Sequence, residues 1–167
     1  MKAFLDFDAR LSARLMIAGK PGLLRNIAII LAHSGDSWFW LAGLAILWLV
    51  GEPAWRSWSA QVFAAVIITA LIVLVTKFAV RRRRPEGEWG RIYRSTDPHS
   101  FPSGHAARAV MLTVLVAVLG PDWLALVLLV WAPAVALARV SMGVHYVSDV
   151  VAGGILGALI GAVLGQL

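Results

Sequence analysis

Long apolar stretches alternate with short polar breaks along most of this chain, and their lengths set the expected elements. Trp58 to Val80 is charge-free as far as Lys77, and Met111 to Val118 and Trp123 to Leu137 carry no charge at all. A helix needs about 20 apolar residues to cross the hydrocarbon of a bilayer. Spans are therefore predicted from about Ser37 to Val50, Trp58 to Val80, Gly104 to Leu119, Trp123 to Val140, and from Tyr146 onward. Ahead of them, Phe4, Phe7, Leu11, Leu15 and Ala18 recur at helical spacing while Asp6, Arg10 and Arg14 take other faces. That pattern predicts an amphipathic helix lying in the interface, with no continuous apolar core of the kind a signal peptide has. Leu23 to Ala32 is too short to span and is interrupted by His33, Ser34, Gly35 and Asp36, which predicts an interfacial or half-inserted helix. The polar stretch from Glu86 to Phe101, with Gly87, Gly90 and Pro98, predicts a loop long enough to act as a lid. The expected fold is all-α, an integral membrane helical bundle of about five transmembrane helices plus an N-terminal amphipathic, interfacial helical segment. A single domain over 1–167 is expected, with 1–36 interfacial and 37–167 forming the bundle.

Composition agrees with a bilayer as solvent, since 60% of the 167 residues are hydrophobic and 14% charged. The absence of cysteine excludes disulfides, thiolate catalysis and cysteine-ligated zinc. The net charge of +6 points to anionic lipid headgroups, and no soluble surface is left for nucleic acid. In the final span Gly153, Gly157, Gly161 and Gly165 recur every fourth residue, a ridge that lets another helix backbone come close. Packing inside the bundle is the favoured reading of that ridge, and a homodimer contact is the other. Trp38, Trp55, Trp58 and Trp123 fall near the predicted span ends, where interfacial belts form.

Counting spans puts the end of the second, the start of the third, and the turn between the fourth and fifth on one membrane face. That face gathers Lys77, Arg81 to Arg84, Arg91, Arg94, His99, Ser103, His105, Arg108, Arg139, His145 and Asp149. His145 and Asp149 are four residues apart, one helical turn, so the carboxylate can hold one imidazole nitrogen and leave the other free to attack. His105 follows Pro102, Ser103 and Gly104 at a predicted helix N-terminus, a place suited to an anion. Lys77, Arg84 and Arg139 supply the charges and forked donors a phosphate needs. Arg81 to Arg83 read instead as a polybasic stop on anionic lipid, and His33, Asp36 and His99 as structural or lid-forming.

These residues resemble the type 2 phosphatidic acid phosphatase superfamily, whose three-part signature occurs here in order. Lys77, six residues, then Arg84 and Pro85 form the first part; Pro102, Ser103, Gly104 and His105 the second; Arg139, five residues, His145, three residues and Asp149 the third. The resemblance implies that His145 attacks phosphorus and becomes a phosphohistidine, with Asp149 orienting it and His105 protonating the leaving oxygen. It implies that Lys77, Arg84, Ser103, Gly104 and Arg139 bind the substrate phosphate, with no metal and no cofactor. Ala138 stands where the family usually has serine, so one phosphate-directed hydroxyl is missing. The implied activity is hydrolysis of a lipid phosphomonoester or diphosphate, on a glycerophospholipid or alternatively on a polyprenyl diphosphate or polyprenyl sugar phosphate. A noncatalytic lipid-binding protein and a vanadate-dependent oxidase are the more distant readings. Lys2, Arg10, Arg14, Lys20 and Arg25 share the predicted face with the site, which predicts a multi-pass inner-membrane protein with a cytoplasmic active site.

Overall fold

The computed structural model describes residues 2–94 and 97–167, and among them the regular elements are helices joined by short turns. The helices are α1 (Lys2–Leu15), α2 (Leu23–Ser34), α3 (Ser37–Val50), α4 (Pro53–Val80), α5 (Glu88–Arg94), α6 (Gly104–Leu119), α7 (Asp122–Ser141) and α8 (Val147–Leu164). α4 starts at Pro53, where a missing amide costs nothing, and runs 28 residues, about 42 Å at 1.5 Å per residue. Within it the sequence offers no further proline or glycine to break the helix.

α6 is the axis of the bundle. Its Ala106, Ala107, Ala109, Met111, Leu112, Leu115 and Val116 are all buried, because α4, α7 and α8 each pack against it. The core joins Leu112, Leu115 and Val116 to Val62, Val66, Leu128 and Ile160. The outward faces of the same helices are also apolar, with Leu71, Val75, Leu126, Val130 and Leu159 exposed. A helix that is apolar inside and out has hydrocarbon, not water, for a neighbour.

By length and composition α4, α7 and α8 can each cross a membrane, and α2 with α3, bent by 55°, is long and apolar enough to do so when the two are taken as one span. α6, at 16 residues, is shorter. The expected interfacial or half-inserted piece from Leu23 to Ala32 is the helix α2, bent against α3 across Gly35 and Asp36. The expected loop from Glu86 to Phe101 contains the short helix α5. The side chains of Tyr93 and Arg94, within the expected lid, lie outside the described residues.

The glycine ridge is spent within the bundle. A Cβ on Gly153 would stand 2.5 Å from the Ser103 carbonyl and one on Gly161 2.9 Å from that of Met111, and one on Gly157 would run into the backbone of Ala107. Three of the four ridge glycines thus face the backbone of Ser103 and α6, and Gly165 faces the side chain of Val118. α1 leaves Asp6, Arg10 and Arg14 exposed, but the two residues it buries are polar. Asp8 and Ser12 are buried, whereas Phe4 and Phe7 are exposed in the manner of an interfacial helix.

Candidate active site

α4, α6, the α7–α8 turn and the stretch before α6 converge at one end of the bundle. α4 ends when Arg81 takes a left-handed φ of 55°, and the chain leaves extended, so that Ser100 N donates to Arg82 O at 2.8 Å. The turn after α7 depends on Gly143 at φ 68°, a conformation glycine adopts freely, and delivers Val144 and His145 into the interior. α6 begins at Ser103, which accepts from Ala106 N and donates its own amide to the Asp149 carbonyl at 2.9 Å.

A cavity of about 330 Å³ results. Lys77, Asp97, Gly104, His105, Arg108, Arg139 and His145 line one part of it, and Ala70, Val73, Leu74 and Phe78 of α4 the other. A cluster of cations and histidines therefore continues into an apolar trough on a membrane helix. The residues expected from the sequence to form a site are together here. Lys77, Gly104, His105, Arg139 and His145 reach the lining, whereas Arg84, Ser103 and Asp149 are buried behind it.

His145 is the most enclosed of the reactive groups. Its Nε2 lies 3.3 Å from Arg84 Nη1, and its Nδ1 lies 3.6 Å from Asp149 Oδ2, an ion-pair distance but not a hydrogen bond. Burial, reinforced by the charges of Arg84, Arg139 and Lys77, pushes its pKa well below the ordinary histidine range, so the ring is neutral and its lone pair available. Asp149 is fixed by two donors, Tyr146 N at 2.8 Å on one oxygen and Arg82 Nη1 at 2.7 Å on the other, with Arg82 stacked 4.0 Å above the Tyr146 ring.

Arg82 corrects the sequence reading of a polybasic stop. Its Nη2 also bonds Asp8 of α1 at 2.7 Å and its Nη1 bonds Ser148 Oγ at 2.6 Å. Arg81 and Arg83 stay exposed, as expected for residues at a headgroup surface.

Asp97, in the stretch expected to form a lid, sits on the cations. It pairs with Lys77, accepts from Arg84 Nη2 at 2.8 Å, and through its carbonyl accepts from Arg84 Nε at 2.7 Å. Burial alone would raise its pKa, but the Lys77 hydrogen bond and the charges of Lys77 and Arg84 outweigh that and hold it below the usual value.

Asp36 and His33, taken from the sequence as structural, belong beside the site. Asp36 Oδ1 lies 2.6 Å from His105 Nε2 and Oδ2 lies 3.1 Å from His33 Nδ1. One signal for Asp36 was legible: a carboxylate within an apolar stretch is costly in a membrane unless something pairs with it. Among the described residues no group of three or more His, Cys, Asp or Glu is arranged to hold a metal ion.

The model of the PAP2 superfamily matches residues 58–167. The chain is 33% identical over 150 residues to the decaprenylphosphoryl-5-phosphoribose phosphatase of Mycobacterium tuberculosis, covering 89% of this chain and 82% of that one. It is 38% identical over 144 residues to the enzyme of the same name in Mycolicibacterium smegmatis, covering 82% and 74%. The fold matches the crystal structure of a transmembrane PAP2-type phosphatidylglycerolphosphate phosphatase from Bacillus subtilis with a TM-score of 0.81 at 22% identity, over 99% of this chain and 86% of that one. The chain belongs to the PAP2 superfamily. It is a multi-pass membrane phosphatase, a phosphoric ester hydrolase acting on a lipid phosphate.

Proposed function

We propose that this chain removes phosphate from a polyprenyl-linked phosphate through a phosphohistidine on His145. The observation that carries the lipid part is the single cavity in which Lys77, His105, Arg139 and His145 meet the apolar side chains of Val73, Leu74 and Phe78. A phosphate at the first group leaves a hydrocarbon tail beside the second, in contact with the bilayer. The polyprenyl class rests on the relatives: the mycobacterial decaprenylphosphoryl-5-phosphoribose phosphatases and an undecaprenyl-diphosphatase of Sulfolobus acidocaldarius, 27% identical over 141 residues.

The steps follow from the placement of the groups. The incoming phosphate displaces the Asp97 carboxylate from Lys77 and Arg84, and these cations with Arg139 neutralise its oxygens. His145 Nε2 attacks phosphorus as the P–O bond to the lipid breaks, and His105 gives its proton to the departing oxygen. Water then attacks the phosphohistidine, losing a proton to His105, and inorganic phosphate leaves with His145 restored. Asp149, anchored by Arg82 and the Tyr146 amide, supports the positive charge on the ring between the two steps.

The site lies on the cytoplasmic face of the inner membrane in this reading. Lys2, Arg10, Arg14, Lys20 and Arg25 flank the end of the bundle at which α1 meets Arg82, and such a concentration marks the cytoplasmic side.

Phosphate release from purified decaprenyl phosphate esters, phosphatidic acid and phosphatidylglycerol phosphate, compared in the same detergent, tests the substrate class. The polyprenyl ester should give the highest kcat/KM. A preference of tenfold or so for phosphatidic acid would replace this reading with a glycerophospholipid phosphatase.

A further inference from the structure

The break between α2 and α3 is more highly built than a helix interruption requires. It lies at Gly35 and Asp36, at the depth of the cavity, and the groups it exposes each have a partner. Arg108 Nη1 donates to the Gly35 carbonyl at 2.6 Å, Trp40 Nε1 to the Ser34 carbonyl at 3.2 Å, and Trp131 Nε1 to Ser34 Oγ at 2.8 Å. Gly35 is needed for the close approach, because a Cβ there would stand 3.1 Å from both His105 Cδ2 and Val135 Cγ1. What the break presents to α6 is the Asp36 carboxylate, on His105 Nε2 at 2.6 Å with His33 Nδ1 on its second oxygen at 3.1 Å. Near His105 stand the cations Arg108 of α6 and Arg139 of α7, and Lys77, Asp97 and the neutral ring of His145 also lie on the cavity wall. Asp36 is the one carboxylate hydrogen-bonded to this ring among the described residues.

We propose that Asp36 is a positioning residue for the acid step, holding His105 by Nε2 so that the ring delivers its proton to the leaving oxygen from Nδ1. The proposal rests on the acid role of His105 given above. With Nε2–H donated to the carboxylate, Nδ1 is the only ring nitrogen left to exchange a proton within the cavity. In the first step the Nδ1–H proton goes to the lipid oxygen as its bond to phosphorus breaks, and the ring becomes neutral with Nε2–H still on Asp36. In the second step Nδ1 takes a proton from the attacking water. Asp36 stays ionised throughout, opposing the cations that would otherwise disfavour the charged ring, as the third member of a triad does for its histidine.

A carboxylate that only braced the helix break would matter equally for every substrate. One that serves proton delivery to the leaving oxygen matters, in the first step that kcat/KM reports, only where that oxygen needs a proton. The full chain in detergent is assayed with dodecyl phosphate, which leaves as an alkoxide unless protonated, and with 4-nitrophenyl phosphate, which leaves readily as the phenolate. Asp36→Asn should lower kcat/KM on dodecyl phosphate about 100-fold and on 4-nitrophenyl phosphate less than about threefold. Asp36→Glu, which keeps the charge and shifts its position, should show the same selectivity at about tenfold, and it decides the matter if the asparagine variant does not fold. Equal losses on the two substrates, or no loss on dodecyl phosphate, overturn the proposal. His105→Ala separates the failures. If it too loses both substrates equally, the acid role itself falls; if it is selective and the Asp36 variants are not, only the role of Asp36 does.

Discussion

Asp97 Oδ2 lies 2.8 Å from Arg84 Nη2 and pairs through the same oxygen with Lys77, so the two cations that would grip a phosphate already hold an anion of the protein's own. A substrate must compete with that carboxylate. Asp97→Asn removes the competing charge while keeping a side chain of the same shape. Vanadate and inorganic phosphate should then inhibit about five to tenfold more tightly, the effect of relieving one partly exposed charge pair, and inhibition constants measured at fixed ionic strength check it. Weaker inhibition would show that Asp97 organises the cations rather than competing for them.

Removal of the nucleophile gives the largest expected effect. His145→Ala should reduce phosphate release by at least about a thousandfold while the protein still elutes as a folded species in detergent. Because Lys77, Arg84 and Arg139 supply the positive charge, dialysis against a chelator should leave the wild-type rate within about twofold. Retained turnover in the alanine variant would end the phosphohistidine mechanism.

The burial of His145 makes a prediction about pH. The folded chain binds fewer protons at this ring than the unfolded chain does, so its contribution to stability is complete above about pH 6.5 and declines as the pH falls below that value. Activity has the same sign. The acid limb of kcat/KM assigned to the nucleophile should lie well beneath pH 6.5, and a rate profile from pH 4 to 8 reads it directly. A limb centred near the ordinary histidine value would contradict the enclosed, cation-ringed environment.

Arg82 should behave unlike its neighbours. Asp8 and Asp149 are both buried against it, and taking one partner from a buried pair leaves a charge stranded. Arg82→Ala should lower stability by about 3 kcal/mol, seen as a clear drop in Tm in detergent, and should depress kcat because Asp149 loses an anchor. Arg81→Ala and Arg83→Ala should change Tm by no more than a degree or two.

Adjacent glycines of α8 offer an internal control. Gly157→Ala should prevent the close approach to α6 and destabilise the bundle by a few kcal/mol, whereas a methyl on Gly154 would meet only Val110 Cγ2 at 3.6 Å, an ordinary contact. Thermal unfolding of the two alanine variants side by side checks the direction in which the ridge points.

The helical spans and the gathering of Lys77, Arg84, His105, Arg139 and His145 were legible because hydropathy and helical spacing are local properties of the chain. What escaped the sequence was pairing between distant segments. Asp8 and Ser148 lie 140 positions apart and meet only because α1 folds back onto the start of α8. Asp36 reaches His105 across a separation of 69 residues, through a bend that no residue spacing encodes. Hydropathy scores Leu23 to Ala32 by itself, and the 55° bend that sets α2 against α3 is a tertiary feature it does not register.

The four-residue step of the α8 glycines also acts as a detent. Each notch accepts one part of α6, so sliding is favourable only by a whole repeat, about 6 Å along the helix. A slip of that size would carry Asp149 and the preceding His145 out of phase with His105. The placement of the two histidines relative to each other thus depends on a row of residues that have no side chains at all.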